Sequence, residues 1–247
     1  MCGVGQKECN GFKCGSGRIG RDSQCIAVET TAPTTLPLPH EPVVNKHFIY
    51  LASQSPRRAE LLRQLGLQFE VLDVSVDETP QVGEAVEACV TRLAHAKVEA
   101  ARRRLGRGSS PPILGADTAV ALDQAIFGKP RDRNEALEML ARLSGSTHRV
   151  LSAVAVWGAD ALHTALSVSQ VTFRAISAAE AAAYWETGEP KGKAGGYAIQ
   201  GRGAVFVERL EGSYSSVMGL PLYETAQLLC AAGVAVLGVR SEGWRKE

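Results

Sequence analysis

The stretch Phe48-Ile49-Tyr50-Leu51-Ala52-Ser53-Gln54-Ser55-Pro56-Arg57-Arg58-Ala59-Glu60-Leu61-Leu62 constrains the fold more than any other part of the chain. An apolar run from Phe48 to Leu51 gives way to a Ser/Pro turn and then to a helical pattern. That succession predicts a strand, a tight turn and a helix N-terminus. Positive charge at a helix N-terminus is mildly unfavourable, so two adjacent arginines there call for an anion; the alternative is a solvated face. Backbone N–H groups at the turn, with two permanently charged guanidinium forks, form a receptor for phosphate oxygens. A phosphorylated substrate is the first expectation.

The rest of the chain can support a full globular core. Of its 247 residues 45% are hydrophobic and 21% charged, which excludes general disorder. Lys and Arg number 27 against 26 Asp and Glu, a net charge of +1, so affinity for polyphosphate has to come from local clustering. The same balance argues against nucleic acid as a partner. No apolar run approaches the roughly 20 residues that span a bilayer, and the N-terminus lacks the layout of a signal peptide. A soluble, cytoplasmic protein is expected.

Residues 1–46 read as a flexible extension. They are rich in Gly, Cys, Thr and Pro, and Pro33, Pro37 and Pro39 would break any regular element. Cys2, Cys9, Cys14 and Cys25 form no Cys-x-x-Cys pair and have no nearby histidine, so the usual zinc spacing is missing. Cys89 and Cys230 fall in apolar helical patterns, as small core residues do.

From Lys46 the pattern becomes globular. Strands are expected at Phe48–Ser53, Phe69–Val74, Pro111–Thr118, Arg149–Trp157, Ala165–Phe173 and Ala204–Leu210. Helices are expected at Arg57–Leu65, Ala85–Leu105, Glu135–Leu143, Ala178–Thr187 and Leu222–Ala232. This mixed order predicts an α/β fold with a curved mixed β-sheet flanked by helices, as two lobes around a central cleft. Residues 236–247 read as a C-terminal tail.

Beyond the Ser-Pro-Arg-Arg turn, three clusters could carry chemistry. Asp77-Glu78 lies in a loop, where paired carboxylates are usually solvated but can hold a divalent metal through hard oxygens. Asp117 in Gly115-Ala116-Asp117-Thr118 follows one apolar run and precedes another, at what reads as a strand end. A carboxylate there is costly unless paired, hydrogen-bonded or at a metal; the bland reading is a turn-forming aspartate between two strands. The run Gly188–Gly203 is Gly-rich with Lys191 and Lys193, yet Lys193 is followed by Ala194 and does not fit the phosphate-loop pattern. A surface loop is its plain alternative. Lys129, and Lys97 on the basic face of the long helix, are further cations. No Gly-x-Ser-x-Gly elbow and no histidine pair with metal-ligand spacing is present.

Taken together these clusters resemble the Maf family of nucleoside triphosphate pyrophosphatases. The matching motifs run in order from Phe48 to Ala232: Ser53-Gln54-Ser55-Pro56-Arg57-Arg58, Val76-Asp77-Glu78, Arg92-Leu93-Ala94-His95-Ala96-Lys97, Gly115-Ala116-Asp117-Thr118, Gly128-Lys129-Pro130, Lys193-Ala194-Gly195-Gly196-Tyr197-Ala198-Ile199-Gln200-Gly201 and Gly212-Ser213-Tyr214-Ser215-Ser216. The resemblance implies a Maf-like domain over residues 47–235 that hydrolyses nucleoside triphosphates to monophosphate and pyrophosphate. Ser-Pro-Arg-Arg, Ala-Asp-Thr and Ile-Gln-Gly look like the dTTP/UTP branch rather than the 7-methyl-GTP branch. It also implies Asp117 as general base, and Arg57, Thr118 and Gln200 as specificity positions. Ser53, Ser55, Arg58, Lys97, Lys129 and Lys193 would bind phosphate, and Glu78 with Asp117 would hold a divalent cation, Mg²⁺ or Mn²⁺. A homodimer and a role in clearing non-standard pyrimidine nucleotides are compatible with it. One departure stands out: where the family usually carries an aspartate before the lysine of Lys-Ala-Gly, this chain has Gly192. The alternative from another class is a non-catalytic nucleotide or nucleic-acid binding regulator of cell division.

Overall fold

The computed structural model describes residues 48–106, 111–158 and 161–236. The extension expected over 1–46, its cysteines, and the tail beyond Val236 lie outside the described residues. Strand β1 (Phe48–Ala52) leads into helix α1 (Pro56–Gln64) and strand β2 (Gln68–Val71). Then come α2 (Val86–Leu105), β3 (Ile113–Leu122), β4 (Ala125–Phe127) and α3 (Arg133–Leu143). The long hairpin β5 (Thr147–Gly158) and β6 (Ala161–Phe173) is followed by α4 (Ala178–Glu186), β7 (Val207–Glu211), α5 (Tyr214–Met218) and α6 (Leu222–Ala231).

One mixed seven-stranded sheet, ordered β2-β1-β3-β5-β6-β7 with β4 alongside β3, carries the fold. Only β1 runs parallel to its neighbours β2 and β3; the other pairings are antiparallel. The α/β class is as expected. The described residues cluster as one compact unit.

Burial follows from sheet position. Val150 to Val156 on β5 are all buried, because this central strand is covered on both faces. On β6 the pattern alternates: Ser167, Ser169 and Val171 point inward while Leu166, Val168 and Gln170 are exposed. The two faces of the sheet have separate cores. Leu114, Ala116 and Val120 of β3 pack with α1, α3 and α6. Ile113, Ala119 and Ala121, on the other face, meet Val90, Ala94, Val98 and Ala101 of α2. That second core is mostly alanine and glycine at the contact, so helix and sheet lie close. At Gly115 a Cβ would stand 2.7 Å from the Ala94 carbonyl oxygen and 2.8 Å from Val98 Cγ2, so only glycine lets α2 settle here.

Three expectations shift. Asp117 and Thr118 lie in the middle of β3, which continues to Leu122, because the whole strand is paired with β5. Lys97 is on the buried face of α2, 7% exposed, not among the solvated arginines, because it has carboxylate partners beneath it. The strand expected from Ala204 starts at Val207, after a 3-10 turn over Arg202–Phe206.

Candidate active site

Strand β3 is shared along one edge. Its first residues pair in parallel with β1 as far as Ala52 opposite Gly115. Its last residues pair antiparallel with β4 from Val120 opposite Phe127. Between them residues 116–119 have no strand on that side among the described residues. A cavity of about 800 Å³ opens at this gap, at the carboxyl end of β1 where α1 begins, the place where ligands bind in open α/β sheets. Because side chains alternate on a strand, Asp117 reaches the gap from the α2 face and Thr118 from the α1 face. The cavity wall includes Ser53, Ser55, Arg57, Arg58, Glu78, Lys97, Asp117, Thr118, Lys129, Lys193 and Gln200, whereas Asp77, which accepts from Thr79 N, and Lys191 do not line it.

The first wall is the turn into α1. Ser53 Oγ accepts from Ser55 N at 3.2 Å and from Arg58 Nη1 at 3.1 Å, which fixes the turn. Ser55 occupies the N-cap without a side-chain cap bond, and the first turn of α1 holds no acidic residue, so its leading N–H groups keep their donor capacity. Arg58 is buried and braces the fold as well as the cavity. Its Nε donates to the Gly219 carbonyl at 2.8 Å and its Nη2 to Thr118 Oγ1 at 3.3 Å. Thr118 Oγ1 lies 2.8 Å from Ser152 Oγ, which itself donates to the Ser216 carbonyl at 2.7 Å. The Thr118 hydroxyl is therefore held in a structural chain. Among the described residues, two of the five N–H donors of Arg58 have no partner and remain for a ligand. Arg57, in contrast, makes no hydrogen bond or ion pair among the described residues.

At the centre stands an alternating line of charges. Lys97 Nζ is 2.6 Å from Asp117 Oδ1 and 2.8 Å from Glu78 Oε1, and Lys129 Nζ is 2.9 Å from Glu78 Oε2. Burial pushes the Glu78 carboxyl up, but its bonds to Lys129 and Lys97 outweigh that and bring it to about 2. Lys97 occupies Asp117 Oδ1, leaving Oδ2 without a hydrogen bond among the described residues. The loop bearing Glu78 is fastened by a pair the sequence reading left out. Arg92 grips Glu84 with Nε at 2.6 Å and Nη2 at 2.7 Å, and Nη2 also donates to the Thr79 carbonyl at 3.2 Å. Their spacing, a carboxylate eight residues before an arginine across a helix start, gave no signal in the sequence.

The last wall comes from the run after α4. Gly195, Gly196, Tyr197, Ala198 and Ile199 are buried, so this is a packed segment and not the surface loop weighed as the plain alternative. It carries Lys193, which shares the cavity wall with Arg57. Burial lowers the Lys193 pKa, and Arg57 lowers it further. Gln200 is exposed and its amide has no hydrogen bond among the described residues. At Gly192, φ is +68° and nothing lies within 4 Å of a built Cβ, so an aspartate would have room there. Aspartate tolerates that left-handed conformation better than most residues.

The charged lining is Arg57, Arg58, Lys97, Lys129 and Lys193 against Glu78 and Asp117, a surplus of three positive charges in a chain whose net charge is +1. No group of three or more metal-type ligands occurs among the described residues. Glu78 and Asp117 are two hard-oxygen donors held on one ammonium. That suits a hard divalent cation, which can bind through one or two carboxylates and complete its shell with phosphate oxygens.

Comparison with known proteins decides the family. The model of the Maf-like protein family matches residues 48–232. The chain belongs to the Maf family. The Maf domain therefore takes in the whole sheet and every wall of the cavity. A curated relative from Cupriavidus pinatubonensis, named dTTP/UTP pyrophosphatase, is 55% identical over 190 residues, 74% of this chain and 95% of that protein. One of the same name from Alkalilimnicola ehrlichii is 56% identical over 184 residues, 73% of this chain and 91% of its own. The likeness to the solved Ham1 protein of Staphylococcus aureus is slight, with a TM-score of 0.36 and 16% identity over 53% of this chain and 72% of that one.

Proposed function

We propose that this Maf-family protein hydrolyses nucleoside triphosphates, dTTP and UTP above others, to the monophosphate and pyrophosphate. The observation that carries the reading is the cavity at the free edge of β3, whose wall carries five cations together with an aspartate that keeps one oxygen unengaged among the described residues. A volume of about 800 Å³ suits a nucleotide-sized ligand, since such sites run from about 300 to 1,000 Å³. Relatives above 50% identity carry the dTTP/UTP pyrophosphatase name, which supports the substrate pair.

In the proposed mechanism Asp117 Oδ2 takes a proton from the water that attacks the α-phosphorus in line; the new P–O bond forms as the α–β anhydride bond breaks and pyrophosphate leaves. Lys97 holds the carboxylate through Oδ1 and keeps it in one orientation. Arg57 and Lys193, both on the cavity wall and close enough for Arg57 to lower the Lys193 pKa, are available for phosphate oxygens. Lys129 and the two unused N–H groups of Arg58 add to the stabilisation of charge that grows in the transition state. Ser53 and Ser55 shape the turn whose N–H groups meet the same oxygens. Glu78 with Asp117 would hold a Mg²⁺ or Mn²⁺ arriving with the nucleotide, which supplies neutralisation of phosphate charge.

Gln200 can donate to a pyrimidine carbonyl while accepting from the ring N–H, a pairing that uracil and thymine share. Thr118 contributes to selection through Arg58, whose guanidinium it fixes, rather than through a free hydroxyl. Such a protein would act as a cytoplasmic clearing enzyme for non-standard pyrimidine nucleotides. The test is a panel of nucleoside triphosphates with Mg²⁺ and identification of both products. Pyrophosphate with dTMP or UMP, fastest for dTTP and UTP, is expected. Orthophosphate release, or preference for 7-methyl-GTP, would refute the reading.

A further inference from the structure

Glu189 is the only carboxylate in the run Gly188–Gly203, and neither it nor Tyr184 lines the cavity. Its side chain nonetheless gathers the donors of that run. Oε1 accepts from Tyr184 Oη at 2.6 Å and from Gly203 N at 2.9 Å, and Oε2 accepts from Arg202 N at 2.9 Å. Tyr184 Oη in turn accepts from Ala198 N at 3.1 Å. The main-chain carbonyl of Glu189 accepts from Lys193 Nζ. The fit is close enough that a Cβ on Gly201 would lie 2.3 Å from Glu189 Oε2. Gly201 has φ −119°, an ordinary value, so a side chain there would be opposed by the carboxylate beside it, which would have to leave its three donors, and not by the backbone φ.

We infer that Glu189, with Tyr184 behind it, is a positioning residue that sets Gln200 and Lys193 at once. Ala198 is held two residues before Gln200, and Arg202 and Gly203 two and three residues after it, all by the same pair of side chains. Gln200 therefore sits at the crest of a turn anchored on both sides, while its own amide stays free for a ligand. Lys193 is fastened to the backbone of the same glutamate. Burial raises the Glu189 carboxyl, but the bonds from Tyr184, Gly203 and Arg202 prevail and keep it below the usual range, so it is ionised at neutral pH. The pair thus couples the base end of the cavity to a phosphate end, and it stands apart from Asp117 and Lys97 on β3 and α2.

The inference rests on the pyrophosphatase reading, and the test separates the two. Glu189→Gln keeps the shape but turns an amide N–H₂ toward a backbone N–H, at Arg202 or at Gly203. Tyr184→Phe removes the donor to Oε1 and the acceptor for Ala198 N. In each folded variant the KM for UTP should rise about tenfold with kcat within about threefold, and the UTP-over-ATP ratio of kcat/KM should fall about tenfold. Glu189→Ala should be worse than Glu189→Gln, so the conservative change partly rescues. A purely structural role would lower the melting temperature and leave KM and the ratio unchanged in the folded fraction. Unchanged KM and ratio in both Glu189→Gln and Tyr184→Phe overturns the inference while wild-type turnover upholds the pyrophosphatase reading. If wild type does not turn over UTP, that reading fails. Calorimetric affinity for UTP in EDTA then decides the inference: about tenfold weaker in both variants supports it, and equal affinity overturns it.

Discussion

Substituting Gly115 by alanine tests how the fold builds its reactive pair. Gly115 and Asp117 share a face of β3, and Val98 follows Lys97 on α2. A Cβ at 115 would stand 2.7 Å from Ala94 O, 2.8 Å from Val98 Cγ2 and 3.2 Å from Val98 N. Two of these contacts involve backbone, so rotation of a side chain cannot relieve them. Ordinary carbon contacts begin near ~3.5 Å, so α2 must withdraw by roughly 0.7 Å over this turn. The Lys97–Asp117 bond, 2.6 Å in the native arrangement, would stretch by a similar amount, and overpacking should cost about 1–3 kcal/mol. A misplacement approaching 1 Å in a catalytic pair can lower turnover by up to about 100-fold. Denaturant unfolding and kcat for dTTP at saturating Mg²⁺ measure the two effects. Adding Val98→Ala should restore part of both, because it removes one of the three contacts, and a double-mutant cycle should show coupling. Wild-type stability together with wild-type kcat for Gly115→Ala would refute the idea that this close approach places Lys97.

Two other outcomes follow from local environments. His148 is 1% exposed, bonded through Nε2 to Tyr197 Oη at 2.9 Å, with Nδ1 unpaired among the described residues, and burial holds its pKa down at about 4. The unfolded chain takes up a proton near pH 6.5 that the folded chain refuses, so this contribution is complete above that pH and falls as pH drops toward 4. By pH 5 it should have removed about 2 kcal/mol, visible in urea titrations at pH 7 and pH 5. His148→Gln should flatten that slope, and an equally steep slope in the variant would contradict the assignment. Gly192→Asp should fold with little change in melting temperature, given the open space beside φ +68°. By adding a third carboxylate to the cavity wall it should lower the Mg²⁺ needed for half-maximal rate; an unchanged requirement would show that Gly192 is no handicap.

Much of the architecture was legible because it is written in local patterns. Phe48 to Leu62 announces a strand, turn and helix, and β1 and α1 fall within a residue of that reading. The site residues were legible as residues but not as positions. Asp117 looked like a strand end because a carboxylate inside an apolar run usually marks one. It is mid-strand because Lys97 and the missing partner strand at 116–119 make a charge tolerable there. Lys97 looked solvated because helical spacing sorts side chains by polarity and cannot register an ion pair with a residue twenty positions away. Glu189, Tyr184 and the Arg92–Glu84 clamp went unseen for the same reason: their partners are backbone groups and distant side chains, which leave no periodicity. Thr118 stood out as a selector, and only the structure shows its hydroxyl tied to Arg58 and Ser152.

The central claim is that Asp117, held by Lys97 at the open edge of β3, is the base for attack of water on a bound nucleotide. Asp117→Asn tests it most directly. The variant should fold, because Lys97 keeps Glu78 as an anionic partner at 2.8 Å and the asparagine oxygen can still accept at 2.6 Å. In a single-turnover experiment with radiolabelled dTTP and Mg²⁺, the variant should bind dTTP and release no detectable dTMP or pyrophosphate, while wild type converts it fully. Release of both products by Asp117→Asn within about tenfold of the wild-type rate would contradict the account.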